Sequence, residues 1–294
     1  MIKYLLLGVL AVVALVYLSV FVTDFFRHRD SLNRHSWWKF IVLGLVTDFF
    51  DTLGIGNFAP TASAFRLGRL VEDEKIPGTM NAAHCLPVIT EALIFMTVIE
   101  VDTLTLVTMV AAAIVGAVWG AGIVARMNVR AIRIGMGVAL LGVAYVLLAG
   151  LMHWMPSGGA ATGLYGVRLV FAVVVNFVLG GLMTIGVGQY APCMALVYSL
   201  GMSPKVAFPI MMSSCAFLMP AASIKFIREQ AIDRKAALGI AIGGIPGVLV
   251  ASYLITSLPL TMLKWLVFAV LVYTAGSMLR AGLKAGRAAM PEAH

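Results

Sequence analysis

Charge is scarce in this chain, and negative charge scarcest: 13 aspartates and glutamates stand against 21 lysines and arginines in 294 residues, 12% charged in all. A water-facing surface carries about twice that fraction of charge or more. Cysteine is nearly absent. Cys85, Cys193 and Cys215 each sit inside an apolar run, with no metal or redox spacing, so a zinc module and a disulfide framework are both excluded. They read as small buried hydrophobes. No G-x-x-x-x-G-K-[ST] occurs, which excludes a P-loop nucleotide engine, and no H-E-x-x-H, which excludes that zinc-hydrolase arrangement. The basic residues flank apolar runs instead of forming a patch, so no nucleic-acid partner is expected, and no cofactor motif is present.

What the chain does have is apolar length. Hydrophobic residues make up 61% of it, and the mean hydropathy is +1.00. Runs of about 20 apolar residues recur along it, each able to cross roughly 30 Å of hydrocarbon. The bilayer is therefore the first partner. The leading run, Tyr4 to Val22, follows Lys3 and lacks a small-x-small cleavage pattern; it reads as a retained transmembrane helix.

Eleven segments are expected. A leading helix over 4–23 precedes two units of five. Unit one has A near 38–56, a short A′ near 59–70, B near 78–99, C near 103–125 and D near 131–151. Unit two has A near 168–186, A′ near 191–200, B near 207–228, C near 236–257 and D near 263–281. The domains are then 1–37 (helix and basic loop), 38–151 (first repeat), 152–164 (linker), 165–282 (second repeat) and 283–294 (tail).

Loop charge fixes the sidedness, because basic loops stay cytoplasmic. If each A–A′ pair returns to the side it left, the basic residues gather on one face. Of the 21, only Lys3, Arg168, Lys205 and Lys264 lie opposite. Treating A′ as a mere loop puts Arg126, Arg130 and Arg133 opposite Arg27–Lys39, against the same rule. Five segments per unit invert the second unit. The expected fold is thus an all-α polytopic membrane protein: an inverted repeat with an extra N-terminal helix, N-terminus outside and C-terminus inside. Re-entrant and fully spanning A–A′ pairs give the same parity, so both stay open.

The two units share one motif in corresponding places. Gly54-Ile55-Gly56-Asn57-Phe58-Ala59-Pro60 returns as Gly186-Val187-Gly188-Gln189-Tyr190-Ala191-Pro192. Pro77 matches Pro209 at the same offset, and Pro87 matches Pro220 one position later. Helices broken at corresponding places in two halves point to a transport site. Each break restarts a helix near a proline, which needs no donor in the first turn. The restarted half-helix presents free N–H groups and a positive dipole end to the break, and two such ends favour an anion. Candidate substrate-binding residues are accordingly Gly54, Gly56, Asn57, Pro60 and Thr61 with Asn81 and His84 of helix B. In the second unit they are Gly186, Gly188, Gln189, Pro192, Cys193, Ser213 and Ser214. By contrast Ala112-Gly116-Gly120 and Gly239-Gly243-Gly247, matched at a slightly shorter offset, read as small-xxx-small packing ridges.

Three acids lie inside spans, where each costs about 2.5–3.5 kcal/mol at the helix centre. Asp48 and Asp51 sit at i, i+3 on helix A, and Glu91 two turns after His84 on helix B. Two carboxylates so close do not both ionise easily. Asp51, with Asp48 or Glu91, is therefore the expected carrier of a coupling proton; the bland alternative is hydrogen bonding to backbone or a buried base.

The stretch from Asp48 through Thr61, Asp-Phe-Phe-Asp-Thr-Leu-Gly-Ile-Gly-Asn-Phe-Ala-Pro-Thr, resembles the first-repeat signature of the TauE/SafE sulfite-exporter family. So does Ile76-Pro77-Gly78-Thr79-Met80-Asn81 with His84, Pro87 and Thr90-Glu91-Ala92. The likeness runs from about 38 to 281, firmer in the first unit. Gly-Ile-Gly-Asn stands where many relatives have three glycines, and the first helix looks additional. The resemblance implies a duplicated membrane domain in a bacterial cytoplasmic membrane that exports sulfite, sulfonates or related anions. Two other readings compete: a cation transporter using Asp48, Asp51, Glu91 and His84, and an intramembrane enzyme. The absence of matching acids in unit two, where Gly180 and Met183 face Asp48 and Asp51, weighs against the cation. The lack of a nucleophile–base motif weighs against the enzyme.

Overall fold

Each of the eleven segments is a helix in the computed structural model, which describes residues 2–29, 32–124, 129–152, 154, 159–183 and 189–287. The helices are α1 (Ile2–Arg27), α2 (Trp37–Thr52), α3 (Phe58–Leu67), α4 (Ile76–Val98), α5 (Thr103–Val124) and α6 (Val129–Leu151). They continue as α7 (Gly166–Met183), α8 (Tyr190–Ser199), α9 (Pro204–Arg228), α10 (Arg234–Ser257) and α11 (Leu260–Arg287). Among the described residues, seven are long and apolar enough to cross a membrane: α1, α4, α6, α7, α9, α10 and α11. No strand forms among those residues, as expected where a bilayer leaves no water for an open sheet edge.

The chain folds as two compact units that cut across the sequence repeats. One comprises 1–103 with 212–257, the other 104–211 with 258–294. In the first, α2 packs along α10, and glycine decides the closeness. A Cβ at Gly44 would strike the Ile240 carbonyl, one at Gly243 the Ile41 carbonyl, and one at Gly247 the Leu45 carbonyl. Bare glycine faces let these backbones touch. In the second unit α5 and α7 make the same kind of seam: Gly116 lies against the Phe177 carbonyl and Gly180 against the Ala113 carbonyl. With the two breaks aligned, Phe177 corresponds to Leu45 and Gly180 to Asp48. The contacts then pair Gly116 with Gly247 and Ala113 with Gly244. The ridge match read from sequence, Gly116 with Gly243, is thus displaced by one helical turn.

Both short helix pairs double back. Asn33, Arg34 and His35, just before α2, line one cavity with Phe65 and Arg66 at the end of α3 and with Arg69 to Asp73 beyond it. The start of α7 (Tyr165, Val167, Arg168) likewise shares a cavity with Leu200 and Gly201 at the end of α8. There Ala161 N–H donates to the Gly201 carbonyl and Ser203 N–H to the Ala161 carbonyl (3.4 and 2.9 Å). Each pair therefore comes back to the end it left, as a re-entrant hairpin does. With 10 residues, α3 is only about 15 Å long, half the hydrocarbon thickness.

Helix α1 is tied to the first unit by a polar clasp and one buried hydroxyl. Arg234 grips Asp24 through Nε and Nη2 (2.7 and 3.3 Å). The fully buried Tyr17 hydroxyl donates to the Ala82 carbonyl of α4 at 2.6 Å. Tyr17→Phe removes that donor alone, so unfolding stability should fall by about 0.5–1.5 kcal/mol, read as a lower melting temperature in detergent.

Candidate functional site

The first break is a glycine-ended helix followed by a half-helix whose start its own side chains leave uncapped. At the end of α2, Gly54 N–H bonds to the Asp51 carbonyl (2.7 Å) and Ile55 N–H to the Phe50 carbonyl (3.1 Å). Gly54 supplies the positive φ of +94° that this C-terminal motif requires. Gly56 repeats that φ. Helix α3 then begins at Phe58, two positions before the proline. Its first internal bond runs from Thr61 N–H to the Asn57 carbonyl at 3.1 Å, so Pro60 occupies the last position that needs no donor. The Asn57 side chain does not cap the helix. It points instead to the acids.

Around this break the fold gathers seven buried polar side chains from three helices: Asp48, Asp51 and Thr52 of α2, Asn57 and Thr61 at α3, and His84 and Glu91 of α4. Asn57 Nδ2 donates both its protons to carboxylates, one to Asp48 Oδ1 (3.0 Å) and one to Asp51 Oδ2 (2.8 Å). His84 bridges Asp48 and Thr61, with Nδ1 2.7 Å from Asp48 Oδ1 and Nε2 3.0 Å from Thr61 Oγ1. A neutral ring would donate from Nδ1 and accept the Thr61 proton at Nε2; a charged ring would donate from both. Asp48 Oδ2 has no hydrogen-bond partner and lies against Gly244 of α10, where a Cβ would collide with it and with Pro87.

Thr52 adds a proton count. Its single hydroxyl lies 2.7 Å from the Asp48 carbonyl and 2.5 Å from Glu91 Oε1. One hydroxyl proton cannot serve two acceptors at those distances. The pair is satisfied when Glu91 carries a proton and donates it to Thr52, which in turn donates to the backbone. Glu91 Oε2 has no partner. Sequence reasoning misses Thr52, although it follows Asp51 directly and lies one turn from Asp48.

The helix restart after the second break matches the first, but the acids do not recur. Helix α8 starts at Tyr190, with Cys193 N–H donating to the Gln189 carbonyl at 2.9 Å, and Gln189 again leaves the helix start uncapped. Gly186 and Gly188 lie outside the described residues. The buried Gln189 side chain reaches Asn176 Oδ1 of α7 (3.4 Å), while Asn176 Nδ2 donates to the Met109 carbonyl of α5 at 2.7 Å. Gln189 Oε1 has no partner. Asn176 escapes a sequence reading because its counterpart in the first unit is Gly44, which carries no chemistry. Cys193, Ser213 and Ser214 are buried, and Ser213 Oγ is unpartnered.

Two expected site residues are placed elsewhere. Asn81 does not join His84: its amide donates to the Pro77 carbonyl on its own helix at 2.9 Å. Pro60 is exposed, whereas Pro192 is buried. Nor do the acids converge as metal ligands, and no group of three or more His, Cys, Asp or Glu able to hold a metal is found among the described residues.

Comparison with known protein families gives a match over nearly the whole chain. The family model described as "Sulfite exporter TauE/SafE" matches residues 2–147 and 167–293, and the chain belongs to that family. The match starts at Ile2 and so takes in α1. No curated protein and no solved structure matches the chain.

Proposed function

We propose that this TauE/SafE family member moves a small sulfur oxyanion, such as sulfite or an organosulfonate, out of the cell, and that protons are linked to the cargo. The observation that carries the reading is the double commitment of Asn57. Its two N–H groups are held by Asp48 and Asp51, beside a half-helix start that its own side chains leave uncapped. An anion cannot use those donors while ionised carboxylates hold them, and the carboxylates repel it. Protonating the pair removes both obstacles at once. Proton binding and anion binding then strengthen each other, by the same factor in each direction.

The parity of the spans supports alternating access. With the pairs α2–α3 and α7–α8 re-entrant, α4–α6 and α9–α11 cross three times each. An odd number of crossings then separates the two breaks, the parity of inverted-repeat carriers. The basic loops support an N-terminus outside and a C-terminus in the cytoplasm. At the first break Gly54, Gly56, Asn57 and Thr61 would contact the cargo; at the second, Gly186, Gly188, Gln189 and Cys193 would do so. Asp51, Asp48 and Glu91 would carry protons, relayed to Thr61 through His84. No cofactor is needed for that chemistry. Thr61–His84–Asp48 has the order of a hydrolytic triad. Its hydroxyl, however, is fully buried and already bonded to the imidazole, which fits a relay better than a nucleophile.

The test is ligand stabilisation in detergent. Sulfite, sulfoacetate, taurine, sulfate and thiosulfate are compared with divalent cations on the wild type, Asn57→Ala and Gln189→Ala. Stabilisation by one anion that both variants weaken is the expected result. Stabilisation by metals alone, sensitive to Asp51→Asn and not to the amide variants, would replace the anion with a cation. Proton linkage is tested separately: transport by Asp51→Asn should lose its dependence on pH between about 5.5 and 8. A wild-type profile in that variant removes Asp51 from the coupling.

A further inference from the structure

The cavity where α2 begins and α3 ends differs from its counterpart in its arginines. It has a volume of about 640 Å³ and is lined by three arginines, Arg34, Arg66 and Arg69. The cavity between α7 and α8 is about 380 Å³ and carries Arg168 alone. Acids also line the larger cavity, but each has a partner. Glu72 pairs with Lys75 (2.7 Å), Asp233 accepts from Asn33 (2.6 Å) and caps α10, and Asp73 faces Arg66 at 3.9 Å. Arg34 and Arg69 have no acidic partner among the described residues.

Arg69 is also held where an arginine is costly. It occupies the turn that ends α3, with φ +47°, while Gly201 fills the corresponding turn after α8 with φ +87°. The surrounding bonds correspond: Leu70 N–H to the Phe65 carbonyl (2.9 Å), and Met202 N–H to the Val197 carbonyl (3.2 Å). Glycine meets that backbone without strain, and arginine does not. A side chain kept in such a place against a cavity invites a reason in the side chain.

The floor of the cavity lies close to the buried cluster. Phe65 lines it and is itself fully buried. One turn earlier on the same face of α3, about 6 Å along the axis, Thr61 bonds to His84. Nothing in α3 stands between them on that face.

We propose that the cavity is an outer anion site, in which Arg34 and Arg69 hold a small oxyanion, and that Phe65 is the plug closing it from the acid–amide cluster. Planar guanidinium forks match oxyanion geometry, and Arg34 and Arg69, without an acidic partner among the described residues, would hold an anion before it meets Asp48 and Asp51. The same chemistry suits free sulfite or phosphate and the phosphate of a lipid headgroup. That the anion is the cargo rests on the function proposed above; the plug does not.

Two experiments on the full chain test this. Arg69→Gly removes the guanidinium and the backbone strain together. It should melt higher than wild type without anion, and should lose the stabilisation that phosphate gives the wild type and part of that given by sulfite. An undiminished anion response would overturn the arginine site. Stabilisation of delipidated protein by phosphatidylglycerol, with none from free anions, would assign the cavity to a headgroup and overturn its place on the cargo path. The plug is read by a charged thiol reagent on Thr61→Cys. Phe65→Ala should speed its labelling roughly ten-fold or more, by raising the open population; should that variant not fold, Phe65→Leu gives the smaller opening. Equal labelling rates with Phe65 intact and truncated would overturn the plug. Were the cargo not an anion, Asn57→Ala and Gln189→Ala would keep the wild-type ligand response, whereas the labelling result would be unaffected.

Discussion

Gly244→Ala is expected to abolish transport and to lower the melting temperature, whereas Gly276→Ala should do neither. Both replace a helical glycine by the same methyl group. At Gly276 nothing lies within 4 Å of the new carbon. At Gly244 it meets Asp48 Oδ2 and Pro87 Cγ together, so α10 must back away from α2 and α4 or the carboxylate must leave its slot. Overpacking of this kind costs about 1–3 kcal/mol. Turning Asp48 away adds a second loss, because His84 Nδ1 and one Asn57 proton would then face no acceptor, at about 1–3 kcal/mol for each buried group left unpaired. Melting curves and vesicle uptake on the two variants make the comparison. Equal behaviour would mean that Asp48 does not need its glycine slot.

Asn57→Asp should be the most damaging single change at the break. It turns the one side chain that donates to both acids into a third acid of nearly the same shape. A cargo anion loses both donors, each worth about 1.5–3 kcal/mol to a charged group, and meets new repulsion in their place. Since each step of about 1.4 kcal/mol is a factor of ten, transport should drop by about 100-fold or more at neutral pH. Acidic medium should restore part of it, because the introduced carboxyl, once protonated, can donate where a carboxylate cannot. Asn57→Ala removes the donors without adding charge, and should fall less and gain less from acid. The pH profile of uptake in the two variants separates the effects. A flat, wild-type rate in Asn57→Asp would show that the donors and acids do not act as a unit.

The two units differ in a way that bears on both predictions. Where the first has Asp48 against Gly244, the second has Gly180 against Ala113. The acid is admitted on one seam by removing a methyl from the facing helix; on the other, the methyl returns and the acid is gone. The same logic separates Asn176 from Gly44. The helix restarts match at the two breaks while the side chains differ, so one break holds an acid–amide network and the other an amide chain. In the proposed function, proton handling therefore belongs to the first break alone.

Much of this was legible in the sequence, for local reasons. Apolar runs mark spans because a buried backbone in lipid must be helical, and all eleven segments are helices. Gly54 and Gly56 mark the first break because a positive φ is a property of one residue and its neighbours. Asp48, Asp51, Asn57, Thr61, His84 and Glu91 could be named because a polar group inside an apolar run stands out on its own. What the sequence could not carry is who touches whom. Asp48 finds its partner on another helix in His84, and its slot is cut by Gly244 on a helix of the other repeat. Asn81 reads as a companion of His84 until its amide is seen to close on Pro77. Thr52 acquires a role only because Glu91 packs beside it. Local rules fixed where the helices run and where they break. Only the packing of α10 and α4 onto α2 decided that the donors at the first break are already held by its own acids, since a hydrogen bond between distant residues exists only once the chain has brought them together.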